Sequence, residues 1–281
     1  MKKCTAIIFY SVLFFLFSCS GKGKETVTTA PETDTIVVAP VIEQVPVDLN
    51  REDTIKINIK DSYESYDNEQ VPTLTIDISL PVIKLNNAVA TAKADSTLAL
   101  IFGEYTTLED ACHRHVESFK QDFDDMHDEY INEKGNDGWS AFRFTREFFM
   151  DGEISVGYKN WVTYTAHIYE YCGGAHGLYI TNIINFDPAS GNVITLEDIF
   201  EEGYEEKLTT ILRNQLMKDN NVSTIEELDD NGFLRDVFIS QNFIPEKFSI
   251  TFLYNPYEIA CYAMGYIYVT LDYKSLEEIM K

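Results

Sequence analysis

Alternation of apolar and polar residues is first sustained at "IKINIK" (55–60). It returns in "TLTIDISLPVI" (73–83), where Leu74, Ile76, Ile78 and Leu80 share one side. A period of two predicts strands with one buried face, the second ending at Pro81, since proline has no N–H for a ladder. The period then lengthens. Asn86 or Asn87 caps an Ala- and Leu-rich helix reaching 102, and Thr107 with Asp110 opens a second helix over 108–130. Along it Cys112, Val116, Phe119, Phe123 and Met126 recur at spacings of three and four, a stripe made for a core. A long aromatic β region follows. "WSAFRFTREFFM" reads as one strand, Asp151-Gly152 as a tight turn, and "ISVGYKNWVTYTAHIYEY" as the return. After a glycine-rich loop come "LYITNIINFD", a turn at 188–191 and "NVITL". Thr195 caps a short helix, and Leu208, Ile211, Leu212 and Leu216 mark an amphipathic one over 204–217. After a polar loop, "KFSITFLY" and "GYIYVTLDY" read as strands and "SLEEIMK" as a closing helix. The class predicted is α+β, a mostly antiparallel sheet with helices packed on one face.

The first 53 of the 281 residues do not fit this pattern. Lys2 and Lys3, an apolar run from Ala6 to Phe17 and then Ser18 have the layout of a secretory signal peptide, too short to span a bilayer. "Leu16-Phe17-Ser18-Cys19" resembles a bacterial lipobox. On that reading residues 1–18 are removed, Cys19 carries the lipid, and Ser20 after it favours sorting to the outer membrane of the cell envelope. Residues 19–53 read as a flexible tether rich in Thr, Pro, Val and acids. The folded part divides into 54–184, with two helices and the aromatic strands, and 185–281. Losing two lysines with the signal takes the formal charge from −24 to −26. Such a chain does not bind nucleic acid by bulk electrostatics, and it attracts cationic partners.

Candidate chemistry is sparse. His113 and His115 stand two apart on a helix and so face different ways, which argues against a metal pair. His127 reads as a solvated position and His167 as a hydrogen-bonded sheet histidine. Asp124-Asp125 and Asp229-Asp230 read as solvated charge. His176 stands out, because it lies in "YCGGAHG" (171–177), where glycines permit close approach of a ligand or another segment. No H-E-x-x-H, G-x-S-x-G, P-loop or C-x-x-C accompanies it, and no cofactor is expected. The sequence therefore predicts no catalytic or metal site, and a loop that the fold itself needs.

Three stretches taken together resemble one family. They are "YCGGAHG", "FDPASGNVITLEDIF" (186–200) and "YEIACYAMGYIYVTLDY" (257–273). Their order and spacing are similar to the extracytoplasmic module of PdaC peptidoglycan deacetylases and of the anti-sigma factor RsiV. The resemblance implies that the deacetylase domain itself lies elsewhere, so this chain is expected not to be an enzyme. It also implies a binding module, with a lysozyme-like cationic protein or a cell-wall glycan as ligand. The binding residues implied are Tyr171, Gly173, Gly174, His176, Tyr257 and Tyr262. Two alternatives stay open: a cell-wall hydrolase or deacetylase-like enzyme using His176, and a structural interaction protein of the envelope. The chain departs from the pattern at Cys172 and at Cys261, where proline is usual. Two departures inside the motifs imply mutual compensation by a Cys172–Cys261 disulfide, leaving Cys112 as a buried thiol.

Overall fold

A computed structural model describes residues 53–64, 70–133, 140–233 and 237–281. The expected signal peptide, Cys19 and all of the tether but Asp53 lie outside them. Among the described residues no helix is long and apolar enough to cross a membrane.

The structure is α+β, with two sheets. The larger has six strands in sequence order: β1 (Thr54–Ser62), β2 (Thr73–Pro81), β3 (Arg146–Val156), β4 (Val162–Tyr171), β5 (Leu178–Phe186) and β6 (Val193–Ile194). Every neighbouring pair is antiparallel except β2 and β3. The parallel step needs a crossover, supplied by α1 (Ala88–Ala99), α2 (Leu108–Asp125), α3 (His127–Glu133) and α4 (Ser140–Phe144). Leu74, Ile76, Ile78 and Leu80 all face this helical layer, where they meet Cys112, Val116, Phe119 and Phe123 of α2. Each such fully buried side chain contributes about 1.5–3 kcal/mol relative to exposure. The opposite face, with Asp77 of β2 and Phe149 of β3, points away from these four helices.

A second core lies over the small sheet β7 (Phe243–Pro245), β8 (Ser249–Tyr254) and β9 (Ile267–Asp272), against Leu208, Leu212 and Leu216 of α5 (Glu205–Asp219). The two sheets are joined by side-chain amides. Strand β6 pairs only with Asn185 and Phe186, so the edge of β5 before them needs other partners. Asn242 Oδ1 accepts the Ile183 N–H (2.9 Å), Asn255 Oδ1 accepts the Thr181 N–H (2.7 Å), and Asn185 Nδ2 donates to the Phe243 carbonyl (2.9 Å).

Local expectations fail in five places. The strand expected from Trp139 begins at Arg146, because Thr145 bonds back to the Ala141 carbonyl and closes the helical turn α4. Asp151-Gly152 is not a turn but mid-strand; the chain reverses at 157–160, where Lys159 and Asn160 take positive φ. The second helix breaks at Met126 into α2 and α3. The closing helix is one 3-10 turn, Tyr273–Leu276, because Lys281 N–H and Met280 pair instead with the 199–200 segment. The region read as a polar loop contains α6 (Ile225–Asp230), opened by a Thr224/Glu227 capping box.

Candidate functional site

The glycine loop joins β4 to β5. At Gly173 φ is +83°, and an added Cβ would lie 2.2 Å from the Arg143 carbonyl oxygen, so the loop is pressed against the end of α4. Tyr171 Oη donates to the Gly174 carbonyl (2.9 Å), with the Phe142 carbonyl 3.3 Å away, bracing the loop from within. At Gly177 a Cβ would stand 2.4 Å from the Tyr169 ring, so the backbone lies directly on that ring.

Three of the six expected binding residues meet at the loop's rim. His176 stacks on Tyr262 with centroids 4.0 Å apart, and Tyr257 lies 5.5 Å from Tyr262. His176 Nδ1 and Tyr262 Oη both donate to the Gly177 carbonyl (2.9 Å each). The imidazole proton is thereby placed on Nδ1, and Nε2 faces the Tyr257 hydroxyl at 3.5 Å. Tyr171, Gly173 and Gly174 shape the loop instead. Among the described residues no group of three or more His, Cys, Asp or Glu side chains is placed to hold a metal ion.

The larger feature is one the sequence reading missed. On the face away from α1–α4, the register sets Phe149 opposite Tyr169 and Tyr169 opposite Tyr179. Their rings form a ladder across three strands, with centroid spacings of 5.8 and 4.7 Å. Tyr262 bonds to the Gly177 carbonyl and Gly177 lies on the Tyr169 ring, so the loop backbone links the ladder to the His176–Tyr262–Tyr257 stack. Just before β9, Tyr266 bonds to Thr181 of β5 and lies 6.4 Å from the Tyr268 ring. These rings are not core: Phe149 is 37%, Tyr179 46%, Tyr257 47% and Tyr268 51% exposed. Glu147, Asp151 and Glu153 alternate with Phe149 on the same face of β3. Burial, with the nearby Glu147 charge, pushes the Tyr169 phenol up to about 12. The signal for this ladder was the odd-numbered spacing Phe149, Tyr169, Tyr179. A turn placed at Asp151-Gly152 hides it, because it would pair Phe149 with Ile154.

Two ionisable groups lie beneath the face. Burial pushes the Glu170 carboxyl up to about 7, against the pull of the Arg146 guanidinium. Arg146 is buried; its Nη1 donates to the carbonyls of Arg143 and Thr145, and its Nε has no partner among the described residues. His167 Nδ1 is 2.9 Å from the Thr181 hydroxyl.

The expected Cys172–Cys261 bridge is not formed. Cys261 is a free thiol, as is buried Cys112. The two halves of the proposed bridge pack in different places. Cys172 lies against the first core beside Glu170, while Cys261 faces Gly232 and donates its N–H to the Gly232 carbonyl (2.9 Å) in the second.

The molecule is thus an α+β protein of two cores with an exposed aromatic face. Crystal structures share this fold. A DUF3298 family member from Bacteroides fragilis NCTC 9343, 28% identical, superposes with a TM-score of 0.66 over 82% of this chain and 96% of its own. A DUF3298 family protein from Pseudomonas aeruginosa PAO1, 17% identical, gives 0.50 over 82% and 94%. Residues 197–274 match the family described as "Protein of unknown function (DUF3298)", and residues 51–179 match "Deacetylase PdaC". A curated relative, the peptidoglycan-N-acetylmuramic acid deacetylase PdaC of Bacillus subtilis (strain 168), is 25% identical over 137 residues. That match takes in 48% of this chain and 29% of the relative's length. Residues 51–179 are thus PdaC-like, and residues 197–274 resemble the DUF3298 family.

These matches correct one expectation. The chain was expected not to be an enzyme, yet both the family matched over 51–179 and the curated relative bear the name of a deacetylase. The missing hydrolase motifs do not exclude catalysis.

Proposed function

We propose that the chain works on peptidoglycan at the bacterial cell envelope, held there by a lipid on Cys19, and that the aromatic face seats the glycan strand. The observation that carries this reading is the ladder Phe149–Tyr169–Tyr179, with its outer rings exposed and its central ring half-buried. The negative face of an aromatic ring attracts the polarised C–H bonds on one side of a pyranose. Strands stand about 4.8 Å apart, so three neighbouring rings span about 10 Å, roughly two sugar units. Contiguous exposed rings are the kind of surface that marks interaction sites, which supports this reading. The relative's printed name supplies the substrate class, an N-acetylated cell-wall glycan.

The test is sedimentation of the full chain with purified sacculi, with acetate release from the same sacculi measured alongside. Tyr169→Ala combined with Tyr179→Ala is expected to reduce the bound fraction at least about tenfold, while circular dichroism stays that of the parent. Sacculi that retain the double variant as well as the parent would sink the proposal. The anchor is tested separately: Cys19→Ala is expected to leave the membrane fraction, and a variant still membrane-bound removes the lipid from the account.

A further inference from the structure

We propose that the aromatic face selects glycans bearing free amino groups, the de-N-acetylated form of the cell-wall strand, over fully acetylated ones. This rests on the glycan reading above and adds its chemical preference.

The charge around the ladder is one-sided. Along β3, Glu147 and Asp151 flank Phe149 on the same face, and Glu153 follows. Across the sheet Asp77 stands directly opposite Phe149. Cross-strand partners of the acidic row are Tyr171, His167 and Thr165, none a fixed cation. The lysines of this face, Lys56 and Lys60, sit on β1 opposite Ser79 and Thr75, two strands away from β3. Among the described residues Glu147, Asp151 and Glu153 take part in no ion pair, and Asp77 accepts only the Asn58 amide, at 3.1 Å. Carboxylates with no cation beside them, placed around exposed rings, complement a cationic ligand with an apolar face.

A glucosamine residue has that chemistry. Its pyranose face stacks on a ring, and its ammonium can donate charge-assisted hydrogen bonds to carboxylates on either side of Phe149. The ammonium is also attracted to the ring faces themselves. An acetamido group at the same position carries no charge and gains none of this. Each exposed carboxylate contributes little alone, so the preference comes from several acting on one strand, and it weakens as salt screens them.

The experiment measures affinity of the full chain for two β-1,4-linked hexamers, N-acetylglucosamine and glucosamine, at low and physiological salt. The glucosamine hexamer is expected to bind about tenfold tighter at low salt, with the gap narrowing as salt rises. The variant Glu147→Gln/Asp151→Asn/Glu153→Gln is expected to abolish the gap while keeping the acetylated hexamer's affinity. Tyr169→Ala is expected to weaken both. Equal affinity for the two hexamers in the parent overturns the inference and leaves the glycan reading standing. A gap that survives the triple variant also overturns it. A lysine hexapeptide that competes as well as the glucosamine hexamer shows bulk charge attraction and overturns the sugar preference. Binding of neither hexamer removes the glycan reading and this inference together.

Discussion

Asn255 holds both backbone groups of Thr181: its Oδ1 accepts the N–H at 2.7 Å and its Nδ2 donates to the carbonyl at 3.2 Å. A side chain from the small sheet thus takes the place of a strand along the edge of β5. That pairing helps hold the Tyr257–Tyr268 segment against the aromatic ladder, so the integrity of the face depends on it.

Asn255→Ala leaves two buried backbone groups unpaired, with Thr181 itself 1% exposed. The expected loss is about 1–3 kcal/mol, measured by urea denaturation, and the loss should come with weaker sacculus binding. Unchanged stability would mean that the two sheets are held together by other contacts.

Gly177→Ala tests the contact between loop and ladder. A Cβ at 2.4 Å from the Tyr169 ring forces that ring to move. The substitution is expected to cost about 1–3 kcal/mol and to reduce glycan retention as far as Tyr169→Ala does. A variant that melts and binds like the parent would show that the ring can swing aside freely.

Two buried groups give opposite pH trends. Glu170 titrates at about 7 in the fold, raised by burial, so the fold favours its neutral form. Its contribution to stability is full below about 4.5 and is lost as pH rises through 7. His115 packs 4.4 Å from Phe148 and is pushed down to about 4 by burial. Its contribution is full above about 6.5 and is lost as pH falls through 4. Between about 4.5 and 6.5 the two trends oppose each other, so only single variants separate them. Glu170→Gln is expected to remove a decline of about 1 kcal/mol per pH unit toward pH 7. His115→Phe is expected to remove a decline of similar size toward pH 4. Stability profiles of the variants that run parallel to the parent's would contradict both assignments.

The thiols distinguish the observed packing from the bridged alternative. Cys261 is partly exposed and free, while burial pushes the Cys112 thiol up to about 12. Iodoacetamide is expected to label Cys261 in the native chain and Cys112 only after denaturation, since the thiolate is the reactive form. Native protein that takes no label at Cys261, with the label restored by reductant, would reinstate a bridge.

Periodicity alone determined much of this protein. The alternation in β2 chose its buried face, and the three-four spacing from Cys112 to Phe123 chose the face of α2, because burial of apolar side chains rewards those periods whatever the partner. The α+β class and the Thr107 and Thr195 caps were legible for the same local reason. The glycine loop was legible as a place of close approach, though not what approaches: Arg143 at Gly173 and Tyr169 at Gly177 come from segments whose distance in sequence says nothing of their contact. The tertiary structure decided everything that depends on register. A hairpin reversing at 157–160, rather than at Asp151-Gly152, brings Phe149 to Tyr169 and Tyr169 to Tyr179. One misplaced turn changes every pair across the sheet, since neighbouring side chains alternate faces. The same holds for Cys172 and Cys261, which motif positions alone suggested should meet and which packing into two separate cores keeps apart.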